Sequence, residues 1–420
     1  MITKEPGFLM PDYEGMSFSN IPNSILEIFG LKERNKLSAH YDEAGIDRTK
    51  HKKVILFLID GFGYNQWQRY ADKYPFLARF FQRGKVAPLT TIFPSTTSAA
   101  ITTINSGLTP QEHGLLEWRV YFEELDKIVQ TLFFTPLGEE GRDKLVAAGV
   151  NPKMLFDGET IYQTLAKAGI PSYSFKNAVF ANSAYNKSVH VGSTSIPFAS
   201  PSDCFTKLKE TVLKAESPSF SFVYFDAIDS ISHAHGPHSE PYYKELDQLM
   251  ELFQKNLIEG FTADEAEDIA VIITADHGLI NVDPEKTTYL NQFPEVEENL
   301  SISPNGNKIM PWGSPRDMFL SVREDKLDFV FDFLTTQFKG EALIVKSQEA
   351  LADGWFGHGK IHPKFKSRIG NLLVLPYGTD TIWYKHFPDS KFHSRGIHGG
   401  LTADEMLSVL AAAPLRKLIK

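Results

Sequence analysis

Short unbroken apolar runs, rich in β-branched and aromatic residues, punctuate this chain at residues 54–59, 220–225, 269–274 and 371–375. They lack the alternation of a half-exposed strand, which is the pattern of strands buried on both faces of a parallel sheet. Between them, apolar positions recur at helical spacing over 66–81, 158–168, 242–260 and 402–412. Strands alternating with helices predict an α/β domain built around a largely parallel sheet.

From about residue 283 to 363 the character changes. A polar stretch with Asn305, Gly306 and Asn307 precedes an apolar run at 316–322, a helical pattern at 325–338 and another apolar run at 342–345. We read this as a smaller α/β lobe inserted into the core, which resumes near residue 368. The expected organisation is a first part of the core at 1–282, a cap lobe at 283–365 and completion of the core at 366–420.

Composition narrows the function. The chain has 420 residues, 42% of them hydrophobic, enough to bury a large core. Its 43 basic and 52 acidic side chains leave a formal charge of -9 with no long basic stretch, which argues against a stable nucleic-acid partner. No apolar run approaches the roughly 20 residues needed to span a bilayer. The first fifteen residues hold Glu5, Pro6, Pro11, Asp12 and Glu14 instead of a basic and then apolar leader, so the expected location is cytoplasmic. A specialised secretion route would leave no trace here. Cys204 is the single cysteine, which leaves His, Asp, Glu and hydroxyls as the available metal ligands.

Three of the four predicted strands run into acids: Asp60 after the first, Asp226 with Asp229 and His233 after the second, and Asp276 with His277 after the third. One acid after a strand is commonly a cap or a solvated turn. Several together, two of them with histidine, suggest convergence on the crevice at the carboxyl ends of the strands, where open α/β sheets bind ligands.

Residues 90–114 carry the other chemical signal. Pro94 favours extended backbone, Ser95, Thr96 and Thr97 are helix-starting residues, and 98–106 reads as a short helix closed by Gly107. A hydroxyl at a helix start is ordinarily an N-cap. The same position, with free N–H groups and the positive end of the helix dipole, also suits an incoming phosphate.

The spacing of these segments resembles the alkaline phosphatase superfamily, in particular its type I phosphodiesterase/nucleotide pyrophosphatase branch. There a nucleophilic Ser or Thr opens a helix that ends in glycine ten residues later, and counting back from Gly107 reaches Thr97, with Thr96 and Ser95 as the fallback choices. Asp60 in Asp60-Gly61-Phe62-Gly63 matches the family's first aspartate. Asp229 and His233, followed by Gly236-Pro237, match its Asp-x-x-x-His element. Asp276-His277-Gly278 and the late His398 in Gly396-Ile397-His398-Gly399-Gly400 complete the set.

The resemblance implies an alkaline-phosphatase-like three-layer αβα sandwich with a mostly parallel central sheet and an inserted cap. It further implies two divalent ions. Asp60, Asp276 and His277, together with Thr97 itself, would hold the one that stabilises the threonyl alkoxide, and Asp229, His233 and His398 the one beside the departing oxygen. Mixed carboxylate and imidazole donors suit zinc, and manganese or iron also accept them. The implied activity is hydrolysis of phosphodiester or pyrophosphate bonds in small anionic substrates such as nucleotides, through a phospho- or nucleotidyl-threonine. Phosphomonoester or phosphonate hydrolysis on the same ligands is the alternative within enzymes, and a catalytically idle metal-binding protein the alternative outside them.

Several residues modify this picture. His113 reads as structural, and His235 and His238 as loop or substrate-side residues. Trp118 stands where several nucleotide pyrophosphatases have an asparagine that hydrogen-bonds a phosphate oxygen, so Trp118 and Arg119 are substrate-side candidates with different chemistry, and Arg119 alternatively reads as a solvated side chain. Residues 223–225 read as core. Trp312, Trp355 and Phe356 are candidates to stack on a base. The segment around Cys204 lacks the spacing needed for a sulfatase formylglycine.

Overall fold

The computed structural model describes residues 7–32 and 34–420; the first six residues of the segment read for a leader lie outside it. A seven-stranded sheet runs in the order Lys85–Thr90, Leu407–Pro414, Ile269–Thr274, Lys53–Ile59, Ser219–Phe225, Ser172–Asn177, Thr194–Phe198. Five strands are mutually parallel, from Ile269–Thr274 to Thr194–Phe198, and Leu407–Pro414 pairs antiparallel with both of its neighbours.

The central strand shows why the run at 54–59 has no alternation. Val54, Leu56 and Leu58 enter one hydrophobic cluster, with helices Ile21–Ile28, Thr97–Ser106 and Ile161–Lys167. Ile55, Phe57 and Ile59 enter the other, with helices Pro75–Arg83, Pro201–Lys214 and Glu240–Phe253. Both faces are covered, so every position is apolar and the domain has three layers. No helix among the described residues is long and apolar enough to cross a membrane.

A second, four-stranded sheet holds Trp312–Ser314, Asp317–Leu320, Leu372–Pro376 and Ala342–Lys346 in antiparallel pairing. This corrects the reading of 371–375 as a strand of the parallel core, and a boundary at residue 366 cuts through this sheet. The cause is again double-sided burial: Leu373 and Leu375 pack into one cluster and Leu372 and Val374 into another. A run buried on both faces reads the same in either kind of sheet.

The helix expected at 402–412 is also corrected. A single turn, Ala403–Met406, leads into the strand Leu407–Pro414, whose small apolar residues fit either period. The pattern at 66–81 divides into Tyr64–Tyr70 and Pro75–Arg83, because Pro75 lacks the N–H an unbroken helix needs and starts a new one.

Candidate active site

The three adjacent strands Ile269–Thr274, Lys53–Ile59 and Ser219–Phe225 run parallel with Leu58 in register with both Thr274 and Tyr224. Their carboxyl ends therefore deliver Asp276, Asp60 and Asp226 along one edge. Asp229 and His233 follow one turn apart on the helix Ala227–His235, which places them on the same face. His398 arrives from the far end of the chain, just after the short strand Gly396–Ile397. Gly61 adopts φ +69°, and a Cβ there would lie 2.7 Å from Leu279 Cδ1 and 3.3 Å from Asp229. Glycine thus lets the backbone turn tightly against Asp229 and point its N–H at Asp276 Oδ1, 3.1 Å away.

All three histidines are oriented by the backbone. Nδ1–H donates to the carbonyl of Gly396 from His233 (2.8 Å), of Gly278 from His277 (3.0 Å) and of Ser95 from His398 (2.8 Å). Each Nε2 is thereby left to face the carboxylates, the arrangement that fixes tautomer and direction in metal-binding histidines. His233 Nε2 lies 3.2 Å from Asp229 Oδ2, His398 Nε2 3.7 Å from Asp229 Oδ1, and His277 Nε2 3.3 Å from Asp276 Oδ2 and 3.5 Å from Asp60 Oδ1. The His277 and His398 rings stack with centroids 3.6 Å apart.

Two sets bring ligand-type atoms within 4.8 Å of one another: Asp229 with His233 and His398, and Asp60 with Asp229 and His277. Asp229 belongs to both sets, whereas the sequence assigned it to one. Asp276 reaches the second set through its contact with His277.

Electrostatics supports a cationic occupant. Asp60 Oδ1, Asp229 Oδ1 and Asp276 Oδ2 are buried with no hydrogen-bond donor among the described residues. Burial, reinforced by the neighbouring carboxylates of Asp276 and Asp229, raises the Asp60 carboxyl well above its usual range, although it accepts a hydrogen bond from Tyr224. Burial raises Asp276 as well. Burial also opposes charge on His233, but the Asp229 carboxylate outweighs it and pushes the imidazole up to about 9. Buried, undercompensated carboxylate oxygens facing oriented imidazoles fit divalent ions.

The structure separates the three candidate hydroxyls. Thr96 is the N-cap of the helix Thr97–Ser106, and Gly107 closes that helix in the left-handed conformation at φ 75°. Ser95 Oγ donates to the Gly400 carbonyl (2.8 Å) and Thr96 Oγ1 to the Leu116 carbonyl (2.7 Å). Thr97 Oγ1 instead lies 3.2 Å from His277 Nε2, at the first helical residue, and is partly exposed.

Thr97, Asp60, Asp229, His233 and His398 border a cavity of about 780 Å³, with Asp276 and His277 fully buried beside them. Trp118 and Arg119 line it too. Trp118 meets the Phe133 ring edge-on at 4.8 Å, and the Arg119 guanidinium lies 4.9 Å over Trp383 with a buried, unpartnered Nε. Arg119 is therefore a wall of the cavity and not a solvated side chain. Trp312, Trp355 and Phe356 prove to be core, each at most 5% exposed, and the aromatic residues lining the cavity include Trp118, Phe133, Phe180 and Trp383. His113 is buried, with Nε2 3.0 Å from Thr103 Oγ1, and His235 is exposed.

Sequence reasoning missed Tyr224, read as core but bound to Asp60, and Lys176. The lysine sits at an inward position of the strand Ser172–Asn177 and is 2% exposed. A lysine inside a buried strand is the signal, legible only once the strand's faces are known. Burial pushes its ammonium down to about 7. Between that value and the usual lysine range the unfolded chain holds a proton that the folded chain has released, so this group makes stability rise with pH across that window. Lys176→Met is expected to flatten the rise, read as urea midpoints of both proteins at about pH 7 and about pH 9.5. Equal slopes would refute the assignment.

The type I phosphodiesterase/nucleotide pyrophosphatase family model matches residues 54–400. Ectonucleotide pyrophosphatase/phosphodiesterase family member 3 of Rattus norvegicus is 25% identical over 272 residues, covering 63% of this chain and 29% of that protein. Venom phosphodiesterase 2 of Crotalus adamanteus is 25% identical over 250 residues, covering 58% and 29%. The chain thus spans less than a third of the length of these relatives. Among solved structures, murine ectonucleotide pyrophosphatase/phosphodiesterase 5, in an inactive threonine-to-alanine form in complex with AMP, superposes with a TM-score of 0.63 at 18% identity, covering 86% of this chain and 88% of that one. Its human counterpart gives 0.60 at 21% identity, covering 86% and 87%. With the family model spanning most of its length, this chain belongs to the type I phosphodiesterase/nucleotide pyrophosphatase family.

Proposed function

We propose that the chain hydrolyses phosphodiester or pyrophosphate bonds of small anionic substrates, nucleotides among them, with Thr97 as the nucleophile. The observation that carries this reading is the position of Thr97: its Oγ1 stands at a helix start, free of the backbone bonds that engage Ser95 and Thr96, 3.2 Å from His277 Nε2. Two divalent ions, zinc by the donor set, would be held by Asp60, Asp276 and His277 beside Thr97 and by Asp229, His233 and His398 on the other side. Such ions, when bound, supply the positive charge that makes an alkoxide accessible near neutral pH and stabilises a departing oxygen.

The chain's own residues do the rest. Thr97 presents Oγ1 to phosphorus from the opening turn of its helix, whose leading N–H groups face the phosphate oxygens. Attack forms the Oγ1–phosphorus bond as the ester or anhydride oxygen leaves, and water then cleaves the phosphothreonine in a second in-line step. Two inversions give net retention at phosphorus. Trp118, Phe133, Phe180 and Trp383 exclude water from the cavity and offer flat surfaces to a ring system. Support for a nucleotide comes from the similar murine structure, which is in complex with AMP.

The test compares bis-p-nitrophenyl phosphate with p-nitrophenyl phosphate on protein supplied with zinc or manganese, before and after chelation. We expect preferential turnover of the diester, loss with chelator and recovery on adding metal. Preference for the monoester would favour the monoesterase alternative, and no turnover of either would favour an idle metal-binding protein.

A further inference from the structure

One part of the cavity wall is polar, buried and unused by the reaction. Ser98, Lys176 and His190 all line the cavity and are 1%, 2% and 6% exposed. Tyr185 and Phe222 line the same cavity. Tyr185 Oη lies 3.1 Å from the Ser98 carbonyl, the His190 ring is 5.8 Å from Phe222, and Lys176 is close enough to His190 for its charge to disfavour imidazolium there.

Two polar atoms in this wall lack a partner among the described residues. Ser98 Oγ and His190 Nε2 are buried without a hydrogen bond. His190 Nδ1–H donates to the Asn186 carbonyl at 3.1 Å, so its Nε2 is left as an acceptor. Lys176 is buried at the same wall, and burial pushes its ammonium down to about 7. Among the other cavity cations, Arg142 lies 4.2 Å over the Phe133 ring, Arg119 lies 4.9 Å over Trp383, and Lys391 is exposed. Buried polar atoms are nearly always paired, so two orphans beside a buried ammonium in one cavity call for an occupant.

We propose that Lys176, Ser98 and His190 form a subsite for a second anionic group of the substrate, a carboxylate or phosphate carried on the same molecule as the scissile phosphodiester. Lys176 supplies the countercharge, the Ser98 hydroxyl a donor, and His190 Nε2 an acceptor for a hydroxyl or acid proton beside the anion. Ser98 follows Thr97 directly and both line the same cavity, which puts the subsite within the cavity that holds the reacting phosphorus. The apolar flanks of Phe222 and Tyr185 lower the local dielectric and strengthen the pairing. This inference rests on the function proposed above for Thr97.

The experiment uses three p-nitrophenyl alkyl phosphodiesters on one short chain, ending in hydroxyl, carboxylate or phosphate. Wild-type protein is expected to favour an acid-ended ester over the hydroxyl-ended one by at least about tenfold in kcat/KM, the effect of one charge-assisted hydrogen bond. Lys176→Met should bring that ratio to within about twofold of unity, since the charge-assisted bond is gone. The carboxylate and phosphate arms identify which anion fits. Equal treatment of all three esters by wild type, or a preference that survives Lys176→Met, overturns the subsite. Calorimetry on metal-loaded Thr97→Ala protein reads the same ratio as Kd without turnover. There, discrimination lost in Thr97→Ala/Lys176→Met supports the subsite, and its absence in Thr97→Ala refutes it. A wild type that hydrolyses none of the esters would instead reject the proposed function.

Discussion

Thr97→Ala is expected to lower turnover of bis-p-nitrophenyl phosphate by on the order of a thousandfold or more while the protein keeps its metal. The size follows from the absence of a substitute. Ser95 and Thr96, the neighbouring hydroxyls, are buried and donate to the carbonyls of Gly400 and Leu116, which holds both away from the position of Thr97 Oγ1. Metal content should persist because the three carboxylates and three backbone-anchored imidazoles are untouched by the change. Thr97→Ser, which keeps the hydroxyl, should retain far more activity than Thr97→Ala. Elemental analysis and steady-state kinetics check both, and activity of Thr97→Ala above about a tenth of wild type would reject the nucleophile.

The second large effect is structural. The Arg316 side chain is fully buried and bidentate to Glu405, with Nε to Oε1 and Nη2 to Oε2 both at 3.0 Å, and it also donates to the carbonyls of Gly378 and Asp380. Glu405 in turn accepts from the Gly400 N–H at 3.0 Å and the Thr402 hydroxyl at 2.7 Å. The pair therefore joins the smaller sheet to the loop that carries His398. Arg316→Leu would strand a buried carboxylate, and we expect a loss of about 3–5 kcal/mol in the denaturant-unfolding free energy. Arg316→Leu/Glu405→Leu should recover part of it, because the uncompensated charge is gone. A loss below about 1 kcal/mol for the single variant would show that the pair is screened like a surface one. Loosening of the Gly400 anchor should also reduce activity in the single variant.

Much of the site was legible before any fold was known. Asp60, Asp229, His233, Asp276, His277 and His398 lie in short segments whose local grammar is visible: an acid after an apolar run, an acid and a histidine four positions apart, glycines where the backbone must turn. The cavity wall was less accessible to sequence. Trp312, Trp355 and Phe356 have the right chemistry for stacking but are core, while Phe133, Phe180 and Trp383, unremarkable in sequence, face the cavity. Arg119 reads as solvated until Trp383, far along the chain, is placed beneath it.

The sequence by itself determined the alternation of strands and helices, the helix from Thr97 to Gly107 and the ordered set of acids and histidines, because backbone preference and ligand chemistry act within a few residues. Tertiary structure alone decided that residues 372–376 join the antiparallel sheet, that Asp229 stands between two ligand groups, that Thr97 is the one hydroxyl of the three to face His277, and that Lys176 is buried. Pairing and burial depend on which distant segments meet, and no local pattern encodes that.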